Sequence, residues 1–260
     1  MQDLNVTLVQ TTLAWQDAAA NRTQLEEKIL PLAGQTDLIV LPEMFTTGFM
    51  MEPERCAEPA NGPTVDWLRT LAQKTRAVIT GSVATQDGAH YYNRLLWVPP
   101  NEDVTRYDKR HLFRMAKEHE HYSFGTKRII VELKGWRICP LVCYDLRFPV
   151  WSRNGSGERH YDLLIYVANW PERRRYAWQT LLRARAIENL CYCVGVNRIG
   201  VDGTDVAYTG DSVALDFLGQ PLTESSEQPF VQTVRLNYAA LLEHRRKFPA
   251  HLDADTFALE

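Results

Sequence analysis

Three residues far apart in this chain, Glu43, Lys109 and Cys143, carry the groups that acyl-transfer chemistry needs. Cys143 directly follows the apolar run at 138–142, too short for a helix and suited to a strand buried on both faces. Tyr144-Asp145 is the first polar break, and Pro149 suits the first turn of a short helix. A thiol at such a strand-to-helix turn, with the Tyr144 N–H aimed at whatever the sulfur attacks, has the form of a nucleophile beside an oxyanion-binding amide. A free thiol titrates at about 8.5 and needs a base to attack at neutral pH, a part open to Glu43. Lys109 could join Tyr144 in stabilising negative charge on a carbonyl oxygen. Each residue also has a plainer reading: a buried filler, a turn-capping carboxylate, a surface cation. Their joint placement is what points to chemistry.

That placement comes from strand ends. In open α/β sheets ligands bind beyond the carboxyl ends of the strands. Four predicted ends here carry useful groups: Glu43 after DLIVL (37–41), Lys109 after VTRY (104–107), Cys143 after 138–142, and Asn169-Trp170 after the buried strand at 161–168. The other elements support this frame. Residues 4–10 alternate as a strand, and 18–32 carry leucine and isoleucine at helical spacing after Asp17. A helix opens at Pro63, followed by strands at 77–84 and 91–98. Residues 110–127 read as a long functional loop with one helical turn. A hairpin spans 128–133 and 136–142 around Lys134-Gly135. A helix covers 173–189, strands follow at 191–198, 211–217 and 231–236, and a last helix begins near Tyr238. The pattern predicts one α/β domain over 1–260 with a mixed sheet or two sheets, and a largely irregular tail at 248–260.

Bulk properties narrow the field. A net charge of −3 gives no reason to expect a nucleic-acid or membrane partner. The five cysteines, without C-x-x-C spacing, argue against a disulfide framework and a structural zinc site. No basic-then-apolar leader precedes the first strand and no apolar run approaches eighteen residues, so a reducing cytoplasm is expected.

The segments LPEMFTTGF around Glu43, YDKRHLF around Lys109 and LVCYDLRFP around Cys143, together with ANWPERRRYAWQTLLRARAIENLCYCVGVNRIG, resemble the carbon–nitrogen hydrolase (nitrilase) superfamily over nearly the whole chain. The resemblance implies a four-layer α-β-β-α sandwich with two mixed sheets packed face to face, and a Glu-Lys-Cys triad needing no cofactor. It also implies a second glutamate seven residues before a glycine. Gly125 selects Glu118 for that place, with Glu120 as competitor. His111, His119 and His121 raise the question of a metal, but the family works without one. Within the superfamily the loop KRHLFRMA…EHEHY and CYDLRFPVWSRN look closest to the omega-amidase branch, which acts on 2-oxoglutaramate and 2-oxosuccinamate.

A small dicarboxylic monoamide needs a cation or several donors for its distal carboxylate, and Arg173, Arg174 and Arg175 stand at a predicted helix N-terminus. Phe45, Tyr122 and Trp170 are candidate pocket walls, Arg183, Arg185 and Glu188 candidate helix-surface or interface pairs, and a homodimer is expected from the family. The competing readings are a nitrilase or an amidase for another short amide, a non-catalytic scaffold of the same fold, and a papain-like protease. The last needs a histidine partner for Cys143, and none follows a strand.

Overall fold

A computed structural model describes residues 2–224 and 226–255. Strand β1 (Leu4–Gln10) leads to helix α1 (Ala18–Ile29), whose first turn is capped by the Asp17 carboxylate accepting the Ala20 N–H at 2.9 Å. Pro31 cannot continue that helix, and residues 30–32 tighten into a 3-10 turn. Next come β2 (Leu38–Val40), the single-turn α2 (Pro53–Cys56), the two-residue β3 (Glu58–Pro59) and α3 (Pro63–Thr75). Strands β4 (Val78–Asp87) and β5 (His90–Val98) form a long hairpin, and β6 (Thr105–Asp108) pairs with β5. The short helix α4 (Glu118–His121) precedes β7 (Val131–Leu133) and β8 (Trp136–Val142). Helix α5 (Pro149–Ser152), β9 (Leu163–Ala168), α6 (Arg175–Asn189) and β10 (Tyr192–Asn197) follow. Strands β11 (Ile199–Val201), β12 (Ala207–Thr209), β13 (Val213–Leu215) and β14 (Phe230–Leu236) lead to α7 (Tyr238–Lys247).

Two mixed sheets result. The first runs β14-β1-β2-β4-β5-β6, with β1, β2 and β4 parallel and β3 added beside β4. The second runs β13-β10-β9-β8-β7, parallel in its three central strands and antiparallel at both edges. Leu4, Val6, Leu8 and Val40 of the first sheet share one core with Leu141, Ile165, Tyr166 and Val194 of the second, so the sheets pack face to face. On the outer face of the first sheet, Leu25 and Ile29 of α1 and Leu68 and Leu71 of α3 cover Ile39, Ile79 and Leu96. Helix α6 covers the second sheet through Trp178, Leu182 and Ala186. It lies so close that a Cβ at Gly195 would meet Leu182 at 2.5 Å and Trp178 at 2.8 Å. This is the four-layer α-β-β-α sandwich that the resemblance implies.

Several local expectations change. The hairpin's first strand begins at Val131, not at 128, since only Val131–Leu133 pair with β8, while the Arg128 guanidinium donates to the carbonyls of Trp151 and Arg153. Its turn puts Lys134 and Gly135 both at positive φ (51° and 85°), the combination that matches the twist of a two-residue hairpin. The strand expected at 211–217 is only Val213–Leu215, since Asp211 takes φ 55°. The β11–β12 hairpin was not foreseen, its runs being too short to show a period. The 110–127 loop holds a 3-10 turn at Arg114–Ala116 besides α4. In the tail, Ala250–Asp253 form a 3-10 turn, and 256–260 lie outside the described residues. Arg185 makes the local pair expected of it, with Glu188 at 2.9 Å, but it is buried and not on the helix surface, and it donates to the Leu146 carbonyl, tying α6 to the turn that bears Cys143. Among the described residues no helix is long and apolar enough to cross a membrane.

Candidate active site

The ends of β2, β6, β8 and β9 meet at one rim. Beyond β2 the chain stays alongside β4, with Leu41 N–H donating to the Thr80 carbonyl and Phe45 N–H to that of Ser82. Glu43 is thereby carried inward and is wholly buried. Lys109 follows β6 directly, its N–H donating to the Asn93 carbonyl and its own carbonyl accepting from Gly125. Gly125 has to be glycine, because a Cβ there would lie 2.1 Å from the Asp108 carbonyl oxygen. That contact closes the intervening loop and brings Glu118 back over the lysine.

The Lys109 Nζ is 2.9 Å from Glu43 Oε1, and 3.0 and 2.9 Å from the two oxygens of Glu118. All three side chains are fully buried. The three N–H groups of the ammonium thus face three carboxylate oxygens. Burial pulls the lysine pKa down, but Glu118, Glu43 and Cys143 together raise it above its usual value, so the ammonium stays charged. Burial also lifts the Glu118 carboxyl, with Lys109 opposing and Glu43 reinforcing. Glu120, the competitor, is exposed and faces Lys117.

Asn93 links the carboxylates, its Nδ2 donating to Glu43 Oε1 at 2.7 Å and to Glu118 Oε1 at 3.1 Å. Its oxygen accepts from Ser82 Oγ, which in turn accepts the Met44 N–H. This buried amide was missed by the sequence reading. Its only signal is an amide inside a strand otherwise rich in apolar and aromatic residues.

Cys143 sits at φ 45°, between β8 and a 3-10 turn that runs to Arg147. A left-handed non-glycine residue costs on the order of 1 kcal/mol or more and persists only where its surroundings impose it. Asp145 does so: its carboxylate accepts from Val142 N–H, Tyr107 hydroxyl, His111 N–H and His111 Nδ1. Tyr144 is second in the turn, where an N–H has no partner within the helix. Burial raises the thiol pKa well above its usual value. The Glu43 charge and its acceptance of the thiol hydrogen bond add to this, with Lys109 opposing. These influences favour the neutral thiol at rest.

Cys143 opens into a cleft of about 650 Å³. Trp170 and Arg173 line it, along with Phe49, Phe113, Tyr144, Arg147 and Arg174. Two expected wall residues do not. Phe45 turns into the core under the first sheet, against Trp67, because Met44 takes positive φ and rotates the next side chain away. Tyr122 stands behind the wall, its hydroxyl donating to the Met50 carbonyl at 3.0 Å. Arg175 is drawn off by Asp211 and Glu227. His111 is stacked on Phe148 at 3.7 Å, while His119 and His121 are exposed. Among the described residues no group of three His, Cys, Asp or Glu side chains could hold a metal ion.

Comparison with known proteins agrees with this architecture. The family model described as carbon–nitrogen hydrolase matches residues 5–245. The chain is 50% identical to the omega-amidase YafV of Escherichia coli (strain K12), covering 100% of both chains. It is 29% identical to a 2-oxoglutaramate amidase of Bacillus subtilis, over 95% of this chain and 96% of the relative. Among solved structures, the CN-hydrolase superfamily protein XC1258 of Xanthomonas campestris, which carries an arsenic adduct in its active site, superposes with a TM-score of 0.98 at 53% identity over 100% of both chains. Nit3 of Saccharomyces cerevisiae shares the fold at a TM-score of 0.85 and 23% identity, over 95% of both chains. The chain belongs to the carbon–nitrogen hydrolase family and is an amide-hydrolysing enzyme.

Proposed function

We propose that the protein is an omega-amidase that releases ammonia from the terminal amide of small α-keto acid monoamides, 2-oxoglutaramate and 2-oxosuccinamate, through a thioester on Cys143. The observation that carries the proposal is the Lys109 ammonium clasped between Glu43 and Glu118 beside a thiol that opens into the cleft. As sulfur attacks the amide carbon, Glu43 takes the thiol proton. The oxyanion is met by the Lys109 ammonium and the Tyr144 N–H. Protonated Glu43 then gives its proton to the departing nitrogen and, once ammonia has left, takes one from the water that hydrolyses the thioester. Glu118 and Asn93 hold the lysine and the base in register.

The substrate class rests on the relatives' activities and on the cleft wall. Arg147, Arg173 and Arg174 line the cleft, and among the described residues none has a carboxylate within ion-pair distance. Arg147 stacks on Trp170 and Arg174 on Phe113, each at 5.0 Å. Cations without counter-charges suit the distal carboxylate of such a substrate. The five free thiols suit a cytoplasmic setting. A homodimer through the surface near α5 and α6, where Val150 and Tyr176 are exposed, completes the proposal; light scattering showing monomer alone removes that part.

The test is ammonia release from 2-oxoglutaramate, 2-oxosuccinamate, glutamine, asparagine and simple nitriles. Fast release from the two keto amides is expected, and release from nitriles alone overturns the substrate reading. Cys143→Ala abolishes turnover with the fold intact; near-normal hydrolysis by that variant overturns the nucleophile.

A further inference from the structure

Lys109 follows a strand of the first sheet, β6, and Cys143 a strand of the second, β8. Apolar packing between two sheet faces is non-directional and does not by itself set the distance between two strand ends. Glu43 has a clasp across this gap: Asn169, just past β9, donates its N–H to Glu43 Oε2 at 2.7 Å and its Nδ2 to the Glu43 carbonyl at 2.6 Å. For Lys109 the crossing is made by Asp145, a wholly buried carboxylate. On the cysteine side Asp145 lies in the turn that begins at Cys143 and accepts the Val142 N–H at 3.1 Å. On the lysine side its Oδ2 accepts the Tyr107 hydroxyl at 2.7 Å, and its Oδ1 accepts the His111 N–H at 3.0 Å and His111 Nδ1 at 2.8 Å. Tyr107 and His111 stand two residues before and two residues after Lys109. Both are braced in turn, the Tyr107 hydroxyl accepting Trp151 Nε1 at 2.9 Å and the His111 ring stacking on Phe148 at 3.7 Å. The lysine is thus held from both sides by a group built into the nucleophile's own turn.

We propose that Asp145 is a positioning residue: through Tyr107 and His111 it sets the separation of the Lys109 ammonium from the Cys143 sulfur, and turnover depends on that separation. The inference rests on the acyl-transfer reading above, in which sulfur and ammonium act on one carbonyl group. The Val142 bond lies beside the turn and shapes it, whereas the three bonds from Tyr107 and His111 cross to the lysine's strand. Hydrogen bonds to an ionised carboxylate are short and directional, so they carry register where packing does not. A displacement of about 1 Å at a reacting group can cost on the order of a hundredfold in rate. Slack between Lys109 and Cys143 weakens contacts made only in the transition state. It therefore appears in kcat and leaves KM in place.

The experiment measures hydrolysis of 2-oxoglutaramate by Tyr107→Phe, His111→Phe and His111→Asn. Each phenylalanine keeps a ring in place and deletes one donor to Asp145. Tyr107→Phe and His111→Phe should each lower kcat about tenfold with KM within about twofold of the parent, and the two together about a hundredfold. His111→Asn sets an amide N–H near the place of Nδ1 and should bring kcat back to within about threefold of the parent. A merely structural role would lower the melting temperature and leave kcat of the folded fraction unchanged. That result in either phenylalanine variant overturns the inference, as does a His111→Asn enzyme no faster than His111→Phe. If Tyr107→Phe fails to fold, the two variants at the partly exposed His111 decide. A parent protein that releases ammonia from no amide overturns the acyl-transfer reading, and this inference with it. An active parent with fully active variants removes only the role of Asp145.

Discussion

Two buried charge clusters in this molecule each set acids against cations and differ in the balance between them. At the far end of the second sheet, Asp162 accepts from Arg245 Nη1 at 2.6 Å, from the Arg137 N–H at 3.1 Å and from His160 Nε2 at 3.2 Å. Arg245 in turn donates to the carbonyls of Leu190 and Tyr161, so α7 is locked onto the sheet. Burial works to raise the Asp162 pKa, but His160, Arg137 and Arg245 together hold it below the usual carboxylate range. At the cleft, two carboxylates share one ammonium beside a thiol, and both Glu118 and Cys143 are pushed up. Where donors outnumber carboxylates the charge is settled and serves cohesion. Where acids outnumber cations a proton is ready to move, which is the condition for acid–base work.

The sharpest break of this contrast is Glu43→Gln. It removes the proposed base and should reduce kcat about a thousandfold with little change in melting temperature; an unchanged rate would require another base. The reverse result belongs to Arg245→Met. Leaving Asp162 buried without its cation should cost about 3 kcal/mol in denaturant unfolding while kcat of the folded fraction stays at the parent value. A smaller effect sharpens the same distinction with pH. Because the folded Asp162 pKa is depressed, its contribution is fully present above the unfolded value of about 3.9 and is lost as pH falls through the folded one. The parent melting temperature should therefore drop on acidification in that window, and Asp162→Asn should lack that part of the slope.

How far the sequence reveals these clusters depends on the range of the signal. Glu43, Lys109 and Cys143 each stand just past a short apolar run, a local pattern, and their convergence follows from where strands in such folds end. Asn93 is invisible that way: it meets the carboxylates only because β5 lies antiparallel between β4 and β6, and pairing register is not written in either strand alone. Phe45 and Phe49 show the same limit in one segment. Met44 and Gly48 both take positive φ, and between them one ring is sent into the core and the other to the cleft. Glu118 was placed by family spacing, and the close approach of Gly125 to Asp108 supplies the physical reason for that spacing.

The clasp on Glu43 has one more consequence. The glutamate extends from the first sheet, while both groups that grip it from across the gap belong to Asn169 of the second. Glu43 is thus also a rivet between layers. If heat or a poor substitution lets the layers slip, that grip is lost and the sulfhydryl loses the carboxylate beside it. A damaged molecule goes silent rather than reacting with whatever drifts past.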